Sequence, residues 1–406
     1  MRVLTVNCGS STLKYRVVDA DPDHPPGEAL PSQVDGAVER IGGDGSSFSL
    51  RDPTGRTSHE AHPFATHGEA ASAVLEALSE RGLLDDVVAS GHRVVHGGDA
   101  FVSPVVVDDA VLEALEGLAG LAPLHNRPAL DALTNARRVL GAGVPAIAVF
   151  DTAFHHGMPA RAASYAIRAE LARRHGIRRF GFHGLAHRWM SERFATLAAP
   201  TGATRLVTLQ LGNGCSAAAI DRGRSIDTTM GLTPLEGLMM GTRSGDVDPG
   251  LVHFLAEREG IGSEVVLGWL NHDSGLLGVS GRGADMRDLL DAEAAGDDRA
   301  ALAIDMFCYR VCKTIGAYDA ALAGATAVVF GGGIGEHSPE VRSRICTGLE
   351  HRGLRLDSQR NNAAVGSEST ISADGSSIRV EVLPVDEATP LALDTARLVR
   401  GEEDDG

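Results

Sequence analysis

A short apolar run from Arg2 to Asn7 ends in Cys8-Gly9-Ser10-Ser11-Thr12, and Leu13 to Asp19 then alternates as a second strand, giving a hairpin with a small-residue tip. The pattern returns at Arg205 as an apolar run to Leu211, a turn at Gly212-Asn213-Gly214-Cys215-Ser216, and a second strand from Ala217 to Ile220. Aligning Gly9 with Gly212 gives an offset of 203, half of the 406 residues, and sets Gln210 in the place of Asn7. A repeat of that period narrows the architecture sharply. At roughly 100 to 200 residues per domain the length alone allows two domains or three, and the repeat points to two halves built alike.

Between the hairpins, Gly68 to Glu80 has the period of an amphipathic helix, Gly91 to Val95 reads as a strand closing on His96-Gly97-Gly98, and Val144 to Phe150 as a buried strand ending at Asp151. Residues 21–32 and 42–58 are rich in Pro, Gly, Ser and Asp and read as surface loops. The second half adds helical patterns at Leu251 to Glu259 and Ala300 to Ala323, then a buried strand, Ala327 to Phe330, running into Gly331-Gly332-Gly333-Ile334-Gly335-Glu336. Strands alternating with helices argue for an α/β fold with a largely parallel core sheet. The tail from Gly401 to Gly406 is acidic.

Charge and composition exclude several functions. A formal net charge of -17 repels nucleic acid and anionic membrane, and 4% aromatic residues leave few stacking platforms. No apolar run approaches the roughly 20 residues that span a bilayer. Five cysteines without a C-x-x-C pair, and an N-terminus that turns polar at Asn7, point to a cytoplasmic protein with reduced thiols. Cys308 and Cys312, four apart in a helical pattern, read as packing residues rather than a zinc site. His183 and His187, one turn apart, and the pair His155-His156 raise a metal hydrolase, but no H-E-x-x-H is present.

Glycine turns after buried strands let backbone N–H groups approach an anion, and there are three, at residues 9–12, 212–216 and 331–335. Leu13-Lys14-Tyr15 stands where a Walker A loop would end, and Glu336 where a dinucleotide fingerprint wants glycine, so neither single-loop motif is present. Lys14 is one of only two lysines. Arg93 and Arg243 lie in glycine-rich settings and offer forks for carboxylate or phosphate. Asp151 and Glu387 close strands, where a carboxylate holds Mg²⁺ or caps the next helix.

Val6-Asn7-Cys8-Gly9-Ser10-Ser11-Thr12-Leu13-Lys14-Tyr15 resembles the N-terminal signature of acetate kinases. The resemblance continues in family order through Gly91 to Gly98, Leu121 to Asn126, Val149 to His155, Gly181-Phe182-His183-Gly184, Leu211 to Gly214, Thr233-Pro234-Leu235-Glu236-Gly237-Leu238, Gly241-Thr242-Arg243 and Gly333 to Glu336. It implies the fold of the sugar kinase and actin superfamily: two duplicated actin-like (ribonuclease H-like) domains with a nucleotide cleft between them. The implied division is an N-terminal domain over 1–150, a C-terminal domain over 151–386, and a helix with an acidic tail over 387–406 that returns to the N-terminal domain.

The implied reaction is reversible transfer of the ATP γ-phosphoryl group to acetate, giving acetyl phosphate and ADP. By the same resemblance Arg93 clamps the carboxylate, and Arg243 and His183 stabilise the group in flight. Asp151 is the catalytic acidic residue, orienting Arg93 or water on the metal. Asn7 and Glu387 hold Mg²⁺, for which Mn²⁺ can substitute. Lys14, Gln210, Leu211, Gly212, Asn213 and Gly214 contact phosphates, while Asp285, Met286, Arg287 and Gly333, Ile334, Gly335, Glu336, His337 cover the adenosine. Val95, Leu124, Phe182 and Pro234 form the methyl pocket, and Val95 suits acetate where a smaller residue would suit propionate. A homodimer is implied as well. Departures from the family pattern are Gln210 for a histidine, His337 for an asparagine, Leu185-Ala186 for a Thr-Ser pair, Arg127 for a proline, Thr12 for a serine, Asp386 for an asparagine and Ala388 for a glutamate. A short-chain fatty acid kinase, and a weakly catalytic nucleotide-binding regulator, are the alternatives.

Overall fold

In a computed structural model that describes residues 1–9, 11–43, 45–118, 123–197 and 204–401, without the side chains of residues 123–125, the chain forms two compact units. One comprises Met1–His156 with Asp386–Gly406, the other Gly157–Val385. The first division falls after His156 rather than at 150. The reason is local: the short 3₁₀ helix Asp151–His155 stays with the first unit, because Thr152 Oγ1 accepts from Gly97 N at 3.1 Å and Asp151 binds Arg93.

The first unit is built on an eight-stranded sheet of order β5-β4-β3-β2-β1-β6-β8-β7. The strands are β1 (Arg2–Cys8), β2 (Thr12–Asp19), β3 (Ser32–Glu39), β4 (Ser47–Arg51), β5 (Thr57–Ala61), β6 (Val87–Val94), β7 (Val105–Val106) and β8 (Ala146–Phe150). The second unit's sheet has the order β11-β10-β9-β12-β14-β13, with β9 (Arg205–Leu211), β10 (Cys215–Asp221), β11 (Arg224–Thr228), β12 (Ala327–Gly331), β13 (Ser369–Thr370) and β14 (Arg379–Val382).

The duplication read from the hairpins extends through both sheets. The run β3-β2-β1-β6-β8 corresponds to β11-β10-β9-β12-β14. In each, the first hairpin strand is antiparallel to the second and parallel to the strand on its other side, and an antiparallel edge strand closes the series. The second turn is one residue shorter: Cys8 pairs with Leu13, whereas Leu211 pairs with Cys215. In both turns the leading glycine N–H closes onto a carbonyl, Gly9 on Thr12 at 2.8 Å and Gly212 on Gly214 at 3.1 Å.

The sheets are mixed, not largely parallel. Parallel pairing is confined to β1, β6 and β8 and to their counterparts β9, β12 and β14, because antiparallel pairs join the remaining strands. The stretch 42–58, expected as a loop, contains β4 and the start of β5. Its Phe48 and Leu50 point alternately into the core beside Tyr15 and Val38, a period-two signal that the Gly and Ser around it masked.

Period two also decides what faces what. Leu4, Val6 and Cys8 of β1 join the core that includes Ala70, Val74, Leu75 and Leu78 of the helix His67–Glu80. Val3 lies on the other face with Ala392, Leu393 and Ala396 of the helix Ala388–Arg400. That helix lies close because β6 has no side chain at Gly91, where a Cβ would stand 2.2 Å from Thr395 Oγ1. Asn7 shares the face of Val3, and Arg93 that of Gly91. Both therefore project on the side at which the helix begins, with Glu387 at its N-cap.

Candidate active site

In the first unit, four residues far apart in sequence form one hydrogen-bonded chain. Asn7 and Arg93 are register partners on adjacent parallel strands. Arg93 Nε donates to Asp151 Oδ1 at 3.1 Å, Nη2 donates to Asp151 Oδ2, and Nη1 donates to Asn7 Oδ1 at 3.0 Å. Asn7 Nδ2 in turn donates to Glu387 Oε2 at 2.5 Å. Asp151 is fully buried and Arg93 is 7% exposed. Burial works against the guanidinium charge, but the Asp151 and Glu387 carboxylates outweigh it and hold Arg93 above the ordinary arginine value.

Other contacts fix the surroundings of this chain. Asp386 accepts from Ala388 N and Thr389 N, and its carboxylate takes both bonds from Arg16 Nη1 at 2.9 and 3.0 Å, which pins the segment carrying Glu387 to β2. Val95 is 2% exposed just beyond β6. The loop after it is held by buried Asn126, whose amide accepts from His96 N and donates to His96 O, both at 3.0 Å. Lys14 pairs in register with Asn7, and its side chain is exposed. The Leu124 side chain and Ser10 lie outside the described residues.

In the second unit, His183 sits at φ 58 immediately before the helix Gly184–Leu197, and Phe182 beside it is 1% exposed. The glycine turn meets His183 and Arg243 together. A Cβ on Gly214 would stand 3.2 Å from His183 Nε2, tighter than an ordinary contact, and 3.8 Å from Arg243 Nη1, within one, so the turn lies against both side chains and the glycine gives His183 its room. Arg243 Nη1 donates to Pro234 O at 3.3 Å, and burial pulls its guanidinium below the ordinary value. A poorly solvated cation in such a setting favours an anion strongly. Gly241 N donates to Asn213 O at 2.9 Å, joining the turn to the segment that carries Arg243.

Gln210 shares its face of β9 with Thr208, which binds His187 of the helix Gly184–Leu197. Its Oε1 is buried and has no hydrogen-bond partner. His187 uses both ring nitrogens, on Thr208 Oγ1 at 2.8 Å and Ser216 Oγ at 2.6 Å, so it ties helix to sheet and is not placed to share a metal with His183. Cysteine chemistry is also disfavoured, since burial pushes the Cys8, Cys215 and Cys308 thiols up to about 12.

The third glycine segment is not an open cradle. Gly332–His337 is a six-residue helix, and the Glu336 carboxylate accepts from Gly332 N at 2.8 Å and Val385 N at 3.0 Å, occupying N–H groups that an anion would need. Gly333 and His337 are exposed, Ile334 half-buried and Gly335 buried. Asp285 caps the helix Met286–Ala294 and forms an ion pair with Arg287, while Met286 is 4% exposed. Sequence reasoning missed Arg342. It is fully buried and donates to the carbonyls of Gly335, Glu336, Asn361 and Ala364, tying down the Gly332–His337 helix. It also missed Tyr165 and Arg179, which bind Glu236 in the Thr-Pro-Leu-Glu-Gly-Leu motif.

Asn7 and Glu387 supply an amide and a carboxylate oxygen. Among the described residues no group of three His, Cys, Asp or Glu side chains is arranged for a metal. Such a two-residue set fits Mg²⁺, which keeps waters and substrate oxygens in most positions, and does not fit a structural transition metal.

Residues 2–393 match the sequence model of the Acetokinase family. The acetate kinase of Solibacter usitatus (strain Ellin6076) is 44% identical over 411 residues, covering 99% of this chain and 99% of that protein. Among solved structures, Porphyromonas gingivalis acetate kinase superposes with a TM-score of 0.86 at 38% identity, covering 98% of this chain and 99% of that one. A propionate kinase from Francisella tularensis superposes with a TM-score of 0.89 at 35% identity, over 98% and 99% of the two chains.

Proposed function

The chain belongs to the Acetokinase family, and from that premise we propose that it catalyses reversible phosphoryl transfer from ATP to acetate, giving acetyl phosphate and ADP. The observation that carries the assignment of roles is the hydrogen-bonded chain Glu387–Asn7–Arg93–Asp151. An acetate oxygen attacks the γ-phosphorus, the bond from that phosphorus to the β–γ bridging oxygen breaks, and ADP leaves with the electron pair. Acetate is ionised at neutral pH, so no base is needed. The demand on the protein is electrostatic, to bring two anions together and hold charge on the equatorial oxygens.

Arg93 is the carboxylate clamp. Asp151 keeps its guanidinium charged and fixes its plane, an orienting role in place of proton transfer. Arg243 and His183, brought together over Gly214, stabilise the transferring group. Asn7 and Glu387 would hold Mg²⁺, with the Asn7 amide turning its oxygen to the metal. When bound, the ion neutralises phosphate charge. Lys14, Gln210, Leu211 and the turn Gly212-Asn213-Gly214 serve the phosphates. Asp285, Met286, Arg287 and the segment from Gly333 to His337 serve the adenosine, with Glu336 acting through the backbone it caps. Val95, Leu124, Phe182 and Pro234 bound the methyl group. The same reading takes the protein as a cytoplasmic homodimer; no described helix is long and apolar enough to cross a membrane.

Arg93→Ala and Arg243→Ala should each remove most acetyl phosphate formation, trapped as the hydroxamate, while nucleotide binding stays measurable. Each charge-assisted contact is worth about 1.5 to 3 kcal/mol. Wild-type turnover in either variant would overturn the assignment.

A further inference from the structure

We infer that Glu236, Arg179 and Tyr165 form a positioning device that holds Phe182, His183, Pro234 and Arg243 in working register. The inference rests on the functional reading above and concerns three residues to which that reading gives no role. The Glu236 carboxylate accepts from Arg179 Nη2 on one oxygen and from Tyr165 Oη on the other. Arg179 Nη1 donates to three successive carbonyls, Thr228 at 3.1 Å, Thr229 at 2.8 Å and Met230 at 3.0 Å. Tyr165 Oη accepts from Leu232 N at 2.8 Å, and the Arg179 guanidinium lies 5.7 Å from the Tyr165 ring centre. The three side chains therefore grip the backbone from Thr228 to Leu232, two residues short of Pro234.

That grip reaches each functional segment. Gly231 O accepts from Phe180 N at 3.1 Å and Gly181 N at 3.3 Å, just ahead of Phe182 and His183. Gly231 has no room for a side chain, since a Cβ there would stand 1.7 Å from Glu236 Oε2. On the far side, Gly237 N donates to Asp246 Oδ1 at 2.8 Å and Asp246 N to Gly237 O at 2.9 Å, closing the loop that carries Arg243. Arg243 returns to this loop through Pro234 O. Residues on three separate stretches thus depend on one carboxylate. The device is stable at neutral pH: burial and then Glu236 push the Tyr165 hydroxyl well above its usual range, and Glu236 overcomes burial to hold Arg179 above its own.

Glu236→Gln keeps the shape but turns one acceptor into a donor facing Arg179 or Tyr165. Tyr165→Phe removes one donor and leaves the ion pair, and serves if the first variant folds poorly. For Glu236→Gln, kcat for acetyl phosphate formation should fall about 10- to 100-fold, with the KM for ATP within about twofold of wild type. Tyr165→Phe should give a smaller loss in the same direction. Amide hydrogen exchange should rise in 180–183 and 229–246 and stay unchanged in β9 and β12. Unchanged kcat in both folded variants, or exchange rising evenly across the unit, would overturn the inference. If the wild-type protein makes no acyl phosphate, the functional reading fails instead, and the exchange pattern alone decides whether the device exists.

Discussion

Asp151→Asn tests the clamp with the smallest change of shape. Asp151 is fully buried and receives Arg93 through both Nε and Nη2. An asparagine keeps one oxygen for one of these donors, while its amide hydrogens meet the other. Arg93 is then left with Asn7 Oδ1 and the more distant Glu387. Removing one partner of a buried ion pair costs about 3 to 5 kcal/mol, and the surviving neutral hydrogen bond returns about 1 kcal/mol, so the net loss should be about 2 to 4 kcal/mol. For a unit of this size that lowers the unfolding temperature by about 5 to 15 °C, read by circular dichroism. A raised arginine pKa contributes stability that is complete below the ordinary arginine value and lost only above it. The difference between wild type and variant should therefore be flat from about pH 5 to about pH 9 as far as Arg93 is concerned. With the guanidinium plane no longer fixed, kcat/KM for acetate should fall about 100-fold. A variant that melts within about 1 °C of wild type and keeps its acetate kinetics would refute the reasoning.

Gln210→His should raise turnover with ATP by about tenfold near pH 6 and less near pH 8, with little change in the KM for acetate. The orphaned amide oxygen is exchanged for a ring that carries charge at the lower pH, a difference of about 1 to 2 kcal/mol; no gain at either pH would show that Gln210 is already matched where it stands or lies away from the phosphates, and would contradict this account of the departure. His92 is 1% exposed, and burial pulls its pKa from 6.5 to about 3. The unfolded chain takes the proton first, so the stability from the neutral ring is present above pH 6.5 and is lost as pH falls toward 3. Urea unfolding should show a loss of about 2 kcal/mol from His92 between pH 7 and pH 5, with buried His67 adding to it in the same direction, and His92→Gln should remove the His92 share of that slope.

The duplicated hairpins were legible because strand, glycine turn and strand recur at half the chain length, and the sheets extend that repeat to a run of five strands and an antiparallel edge strand, with β4 and β5 added in the first sheet alone. The halves then diverge at equivalent positions: Asn7 pairs with Arg93, but Gln210 pairs with Gly331. Which face Asn7 and Arg93 take follows from alternation. That Glu387, 380 residues later, meets them does not, since nothing local encodes where the last helix lands. Resemblance alone suggested that meeting. Glycine density misled at 331–335, because the Glu336 side chain that fills the turn lies one residue beyond the run. Arg342 and Arg179 carry no local signal, and Asn126 stands out only as the end of a segment that resembles the family. Each is an ordinary polar residue by composition, and only the backbone carbonyls and N–H groups gathered around it mark it as structural.

The most direct test of phosphoryl transfer to a small carboxylate is hydroxamate trapping with the full-length protein, ATP and Mg²⁺ over acetate, propionate and butyrate. The account predicts ATP-dependent acyl phosphate, with catalytic efficiency highest for acetate and falling at each added methylene by roughly 10- to 200-fold, as a pocket closed by Val95 requires. Nucleotide binding with no acyl phosphate from any of the three acids would contradict it.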